Sequence, residues 1–483
     1  MTSTNTTLPH YHKEGRVGQS QRHWLVVGTV CIGAFMAALD ASIVNIALPT
    51  LQRQFHVSMS LVSWVSLAYL LTLAAVIVPL GRMADMFGRS WMYSTGFIVF
   101  AVSSALCGFS GNLPFLLGAR VLQAIGAGML QANSVSIITA YTPASDRGKA
   151  IGFQASAQGI GLSLGPAIGG ALLAAFGWKW IFFVNVPVGI IGTILGFRWL
   201  PKDKVGQARE KFDMWGTLLL APTLVSLMYL LNTGVKQGMG GKMYASLAVS
   251  VVCFLLFIFV EHRTRHPLIN LSIFRNRTFS VGNTGGVLSF AVMYAVIFLV
   301  PFFLERVALL SAFTSGLYLT IIPAGMAVST PFAGMISDKV GSRLPTLAGM
   351  ASAMVGLLSL TQISPGHNQW WLVAGLLFTG LGLGLYTPPN NASVMGSVTR
   401  NMLGVAGGVL NMARTLGMSF GVTAGGLLYE LFLLSQHVTE HSASPLEMNR
   451  AFHMSFTGVL VLASITLLLA AIKPGVENAK NDA

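Results

Sequence analysis

The chain has 483 residues, of which 53% are hydrophobic and only 9% charged. Soluble proteins carry roughly 25% charged residues, so this composition excludes a soluble domain and predicts an all-α integral membrane protein. The formal net charge of +14 is scattered through short loops. That pattern fits topology-setting charge and gives no footprint for a nucleic acid partner.

Residues 1–23 are polar and read as a cytoplasmic N-terminal tail. The next apolar run is too long, and at Asp40 too polar, for a cleaved signal segment. Fourteen spans follow, at about 24–48, 60–80, 91–109, 113–140, 149–175, 179–199, 215–232, 243–260, 278–304, 312–336, 345–363, 370–396, 402–429 and 452–472. With the N-terminus inside, the inner segments hold 21 of the 29 Lys and Arg and the outer segments six. The opposite orientation would invert this positive-inside bias. Both termini are therefore expected in the cytoplasm, the C-terminal tail being 473–483. Cys31, Cys107 and Cys253 all lie in apolar spans, so they suggest neither a disulfide framework nor a metal spacing.

The chain repeats itself. Gly81-Arg-Met-Ala-Asp85-Met-Phe-Gly88 follows span 2, and Gly334-Met-Ile-Ser-Asp338-Lys-Val-Gly341 follows span 10, displaced by 253 residues. Gly161, Gly165, Gly169 and Gly170 of span 5 return as Gly417, Gly421, Gly425 and Gly426 of span 13, displaced by 256. Matching helices are separated by an even number of spans, so the repeat is parallel. The expected organisation is a six-helix bundle at 24–199, a linker at 200–277 carrying two inserted helices, and a second six-helix bundle at 278–472.

In span 1, Asp40 stands near the middle of an apolar helix, where a carboxylate costs about 2.5–3.5 kcal/mol on insertion scales. Helix rise places Asp40 about 6 Å, and Arg120 of span 4 about 9 Å, to the outer side of their span centres. The two are the natural ion pair. The pair either locks two helices together or titrates. Desolvation favours a neutral carboxyl and a nearby arginine favours the carboxylate, so a cavity that wets and dries would load and release a proton. No other acidic residue lies well inside a span; Glu305 and Glu430 sit at outer ends.

Further polar residues line helix faces. Gln123 and Gln131 share Arg120's face of span 4, and Gln154 and Gln158 share a face of span 5 with Gly161 and Gly165. Such stripes either bond helices together or line a central cavity. The second half offers Asn283, Tyr294, Asn390, Asn391, Asn411 and Arg414 for the same cavity. By the 256-residue offset Arg414 matches Gln158. If it faces the cavity, it disfavours multiply cationic substrates. In span 5 the Gly161, Gly165, Gly169 and Gly170 face allows close helix approach, and Pro166 removes a backbone donor. At the inner loop, Gly81 and Gly88 permit a tight turn, and Asp85 is placed to pair with Arg89 or Arg147 as a gating latch.

These residues resemble the major facilitator superfamily, in particular its fourteen-helix drug:proton antiporter branch. The resemblance rests on Leu39-Asp-Ala-Ser-Ile-Val-Asn-Ile-Ala-Leu-Pro49, the Gly81–Arg89 loop, Arg120-Val-Leu-Gln-Ala-Ile-Gly126-Ala-Gly128, Gly161-Leu-Ser-Leu-Gly165-Pro166-Ala-Ile-Gly169-Gly170 and Gly177-Trp-Lys-Trp-Ile-Phe-Phe-Val-Asn-Val-Pro-Val-Gly189. It implies two bundles rocking around a midplane cavity, Asp40 as proton-coupling acid, and span 5 as a gating helix that limits ion leak. The implied activity is export of amphipathic small molecules from a bacterium across its inner membrane, by a monomer embedded in lipid and without a cofactor. A dedicated exporter of one endogenous metabolite and a membrane sensor without flux are the rival readings. No span holds a nucleophile–base set, so an enzyme is not expected. With no G-x-x-x-x-G-K-[ST] loop, the energy source is expected to be the proton gradient rather than ATP. His437-Val-Thr-Glu440-His441 spells an inverted zinc-protease pattern. It lies in an outer loop that promises neither rigid helical placement nor a third ligand.

Overall fold

An apolar run in lipid must satisfy its backbone internally, and each predicted span does so as a helix. The computed structural model describes residues 16–143, 146–201, 214–233, 241–264, 271–364, 369–399, 402–440 and 442–472. Within them lie fourteen long helices. The first six are α1 (Arg16–Phe55), α2 (Met59–Phe87), α3 (Arg89–Gly108), α4 (Leu113–Tyr141), α5 (Arg147–Phe176) and α6 (Trp180–Trp199). An inserted pair follows, α7 (Met214–Thr233) and α8 (Gly241–Arg263). The last six are α9 (Arg277–Arg306), α10 (Ala312–Val340), α11 (Arg343–Leu360), α12 (Trp370–Gly396), α13 (Leu403–Ser435) and α14 (Pro445–Ile472). Thirteen are long and apolar enough to cross a membrane, and α7 contributes a shorter apolar stretch, Leu218–Leu231. The predicted linker residues 202–213 and 265–270 and both tails, up to residue 15 and from 473, lie outside the described residues.

The repeat extends to the devices that start and stop helices. Ser58 caps the start of α2 by accepting from Leu61 N, and Ser311, 253 residues on, caps α10 by accepting from Thr314 N. Gly88 ends α2 at φ 103° and Gly341 ends α10 at φ 79°. Both are left-handed conformations that only glycine adopts without strain. The two loops fold alike because the sequence repeats the cap and the glycine, not merely the apolar length.

Glycine faces set the packing. Added Cβ atoms at Gly161, Gly165 and Gly169 would collide with Phe35 O, Ser42 Oγ and Ile43 on α1, so α5 lies directly against α1. In the second half Gly417 and Gly421 press on the Val287 and Ala291 carbonyls of α9 in the same way. Helix α5 also reaches across to the other bundle. Gly170 lies on Ala312 and Phe313 of α10, and the Pro166 carbonyl lies against Gly316. The bundles thus meet along two seams, α5 on α10 and α2 on α13.

The inserted pair flanks the second seam. Trp64 of α2 stacks near Tyr229 of α7 at 6.3 Å, and Thr423 of α13 lies 3.6 Å from Met228 Sδ. Helix α8 rides on α7 through Ser246 to the Ser226 carbonyl (2.7 Å) and Ser250 to the Thr223 carbonyl (3.3 Å). Its Val251, Val252, Phe254 and Leu255 are exposed, a face that lipid covers.

Candidate proton and substrate site

The site begins with one expensive carboxylate. Asp40 sits in the middle of α1, fully buried, and side chains from two other helices, α4 and α6, converge on it. Arg120 of α4 donates from Nη1 to Oδ2 at 2.6 Å. Gln123 donates from Nε2 to Oδ1 at 2.8 Å, and Asn185 of α6 donates to the same oxygen at 3.0 Å. A carboxylate held by a guanidinium and two amides is a satisfied buried ion.

Arg120 does not depend on Asp40 alone. Its Nε donates to the Val65 carbonyl at 3.0 Å and its Nη1 to Gln123 Oε1 at 2.6 Å. The Tyr69 ring lies 4.3 Å from the guanidinium carbon, a favourable cation–π placement. Gln123 in turn donates to Ser104 Oγ at 2.7 Å. When Asp40 is neutral, these partners still hold the arginine in place.

The sequence expectations divide at this point. Asp40 and Arg120 meet as expected. Gln123, expected on the cavity wall, is instead wholly buried inside the first bundle as a ligand of both. Asn185 was not singled out. Its signal was an amide between Val184 and Val186 in an otherwise apolar span, and such a residue needs a buried partner.

The remaining polar candidates are spread over both bundles. Gln131 of α4, Gln158 of α5 and Arg414 of α13 are all partly exposed. Counting from their inner helix ends, each lies about 15 Å deep at 1.5 Å per residue. Asn411, one turn before Arg414, and Asn391, near the inner end of α12, are exposed. Polar side chains at this depth in a span face the bundle interior or a cavity within it. Gln154 is buried on α5, while Asn390 donates to the Gly282 carbonyl of α9 at 2.9 Å. Asn283 donates to the Phe279 carbonyl at 2.9 Å, leaving its Oδ1 buried without a hydrogen-bond partner. Tyr294 is buried as well.

At the end that loop charge assigns to the outside, the bundles are clasped. Arg53 at the end of α1 donates to Glu305 of α9 at 2.8 Å. Glu440, in the α13–α14 connection, accepts from Gln52 at 2.6 Å, from the Met59 backbone at 3.0 Å and from Arg306 at 2.8 Å. Glu440 therefore joins both bundles, which is the role the structure gives to the carboxylate of the zinc-like pattern. His441 lies outside the described residues.

At the inner end no comparable clasp joins the bundles among the described residues. Asp85 pairs with Arg89 at 2.8 Å within its own bundle, both side chains well exposed. Arg147 instead donates to the Thr142 carbonyl at 3.1 Å. Gly81 sits over α4 near Ala132. A cavity of about 980 Å³ also opens between the inner ends of α1, α4 and α6, beside His23, Thr142 and Arg198.

Two parallel six-helix repeats, clasped at one end around buried polar groups, have the architecture of a polytopic membrane transporter. The chain belongs to the major facilitator superfamily, whose family model matches residues 30–422. It is 36% identical over 401 residues to the riboflavin transporter RibZ of Clostridioides difficile, covering 83% of this chain and 87% of that one. It is 31% identical to the multidrug transporter protein MdtP of Bacillus subtilis, covering 86% and 76%. It is 30% identical to the tetracenomycin C resistance and export protein of Streptomyces glaucescens, covering 85% and 77%. Among solved structures, a bacterial homologue of the human lysosomal transporter Spinster, inward-facing and unoccupied, superposes with a TM-score of 0.67 at 18% identity. That match covers 94% of this chain and 97% of the other and speaks to the fold.

Proposed function

We propose that this protein exports amphipathic small molecules across the bacterial inner membrane in exchange for protons, by alternating access, with Asp40 as the coupling acid. The observation that carries the reading is the Asp40 site itself: the one carboxylate among the described residues at the centre of a span, held by Arg120, Gln123 and Asn185. Protonating Asp40 removes one side of a buried ion pair while Arg120 keeps three other partners. The change in electrostatic energy is therefore available to move helices rather than to unfold them. Proton and substrate need not share a residue; they need only favour opposite protonation states of the site, which makes their coupling reciprocal.

The outer clasp, with no comparable clasp at the inner end among the described residues, supports an inward-open member of that cycle. In this state the substrate enters from the cytoplasm between Gln131, Gln158 and Arg414. In the outward-open state Arg53–Glu305 and the Glu440 contacts are broken and the inner loops close. Between the bundles, α5 meets α10 through Gly170 and Gly316, small residues that let one helix move over the other.

The test is flux in proteoliposomes with an imposed pH gradient, using wild type and Asp40→Asn. Wild type is expected to move substrate uphill, and the variant to lose gradient-driven flux while keeping downhill exchange. Uphill flux by Asp40→Asn would refute the coupling assignment. A second reading, a carrier dedicated to one metabolite, is favoured by the relative named for riboflavin. Competition by one compound and by none of a broad amphiphile panel would select it.

A further inference from the structure

The charges near the cavity do not balance. Arg120 is matched by Asp40. Arg414, at the depth of Gln131 and Gln158, has neither a hydrogen bond nor an ion pair with any described residue. What it has is an aromatic face: its guanidinium carbon lies 5.3 Å from the centroid of the Phe290 ring. One turn along α9 from Phe290, the Tyr294 hydroxyl is buried without a hydrogen-bond partner. Phe290 and Tyr294 share one face of α9 at i, i+4 spacing.

A partly buried arginine with no counter-ion among the described residues, beside a buried hydroxyl with no partner, is a set of donors awaiting an acceptor. We infer that Arg414, Tyr294 and Phe290 form a substrate subsite for planar aromatic molecules bearing an anionic oxygen, a carboxylate or an ionised phenol. Phe290 fixes the plane of the guanidinium. Its free edge then presents paired N–H groups to the anionic oxygen, and its open face stacks on the ligand ring. The Tyr294 hydroxyl donates to a second oxygen of the ligand. The subsite rests on the transporter reading of the cavity and names the substrate class within it. It also rejects cations, because a cationic ligand leaves Arg414 unmatched and adds repulsion.

Two xanthene dyes of like shape and opposite charge test this, fluorescein as the anion and rhodamine 123 as the cation. Binding to purified protein in detergent, read by fluorescence anisotropy, needs no proton gradient. Wild type is expected to bind fluorescein at least about tenfold more tightly than rhodamine 123, a preference that weakens with salt. Arg414→Gln should lose about tenfold in fluorescein affinity and gain nothing in apparent melting temperature. Arg414→Lys, which keeps the charge and loses the planar fork, should fall between. Tyr294→Phe should lose about threefold. Equal affinity for the two dyes, no fluorescein binding, or fluorescein affinity unchanged in both Arg414 variants would overturn the subsite. Arg414-dependent binding without pH-driven flux would overturn the exporter reading and leave the subsite standing. Flux with binding indifferent to Arg414 would do the reverse.

Discussion

The two bundles share helix order, caps and glycine faces, yet they treat charge in opposite ways. In the first, Asp40 and Arg120 form a closed pair with Gln123 and Asn185. The 253-residue offset of the caps carries Asp40 to Met293, and the 256-residue offset of the glycine face carries Arg120 to Leu376, both apolar and buried. Where the first has the neutral Gln158, the second has Arg414. Packing tolerates an apolar pair in place of an ion pair, so the repeat itself does not require the charges. On the proposed reading, the first half holds the group that changes charge and the second half a fixed charge for the substrate, and placing them in different bundles couples them only through relative motion.

The largest expected effect comes from opening the closed pair. Arg120→Leu leaves the Asp40 carboxylate buried beside two amides without its counter-ion, and should destabilise the protein by about 3–5 kcal/mol. Thermal unfolding in detergent would measure this. Asp40→Val with Arg120→Leu, which gives the first bundle the apolar pattern of the second, should recover most of that loss and abolish gradient-driven flux. If the double variant is no more stable than Arg120→Leu, the pair is needed for the fold and the contrast between the halves fails.

A smaller effect is expected at the glycine faces, where the halves should behave alike. Gly165→Ala and Gly417→Ala each place a methyl group against the facing helix, Ser42 in one case and Val287 in the other. Each should destabilise by about 1–3 kcal/mol. Gly159→Ala, on the same helix as Gly165 but with nothing within 4 Å, should gain about 0.5–1 kcal/mol. The same unfolding series decides it, and a tolerant Gly417 would show that the second face is not a working copy of the first.

The smallest effects separate the two ends. Glu440→Gln weakens contacts to Arg306, Gln52 and Met59. It should shift the population outward by about 1–2 kcal/mol. Spin labels at Gln54 and Leu309, both exposed at the outer ends, should report a longer component in their distance distribution. Asp85→Asn, which breaks an exposed pair with Arg89 within one bundle, should change that distribution very little and stability by about 0–0.5 kcal/mol. An equal response to both variants would mean that the outer clasp holds nothing closed.

Much of this was legible along the chain because the signals are local or periodic. Apolar length gave the spans, loop charge their orientation, and the 253- and 256-residue offsets the two bundles. Lipid permits only helices, so the step from composition to fold is short. Asp40 and Arg120 were found because each is too expensive to leave alone in a span and they share a depth. Gln123 was assigned to the cavity and Asn185 passed over because helix periodicity ranks faces and does not say which face meets which neighbour. Asp85 had two arginines within plausible reach, and only the folded loop selected Arg89.

The sequence by itself therefore determined that this is a helical membrane protein of two parallel halves with one costly acid, since bilayer thickness and desolvation act on each span independently. Only the tertiary structure decided what closes around that acid, that α7 flanks the α2–α13 seam, that Glu440 joins the bundles, and that Arg414 stands without a counter-ion among the described residues. Those facts depend on contacts between residues far apart in the chain, which side-chain packing across helices sets and no single span encodes.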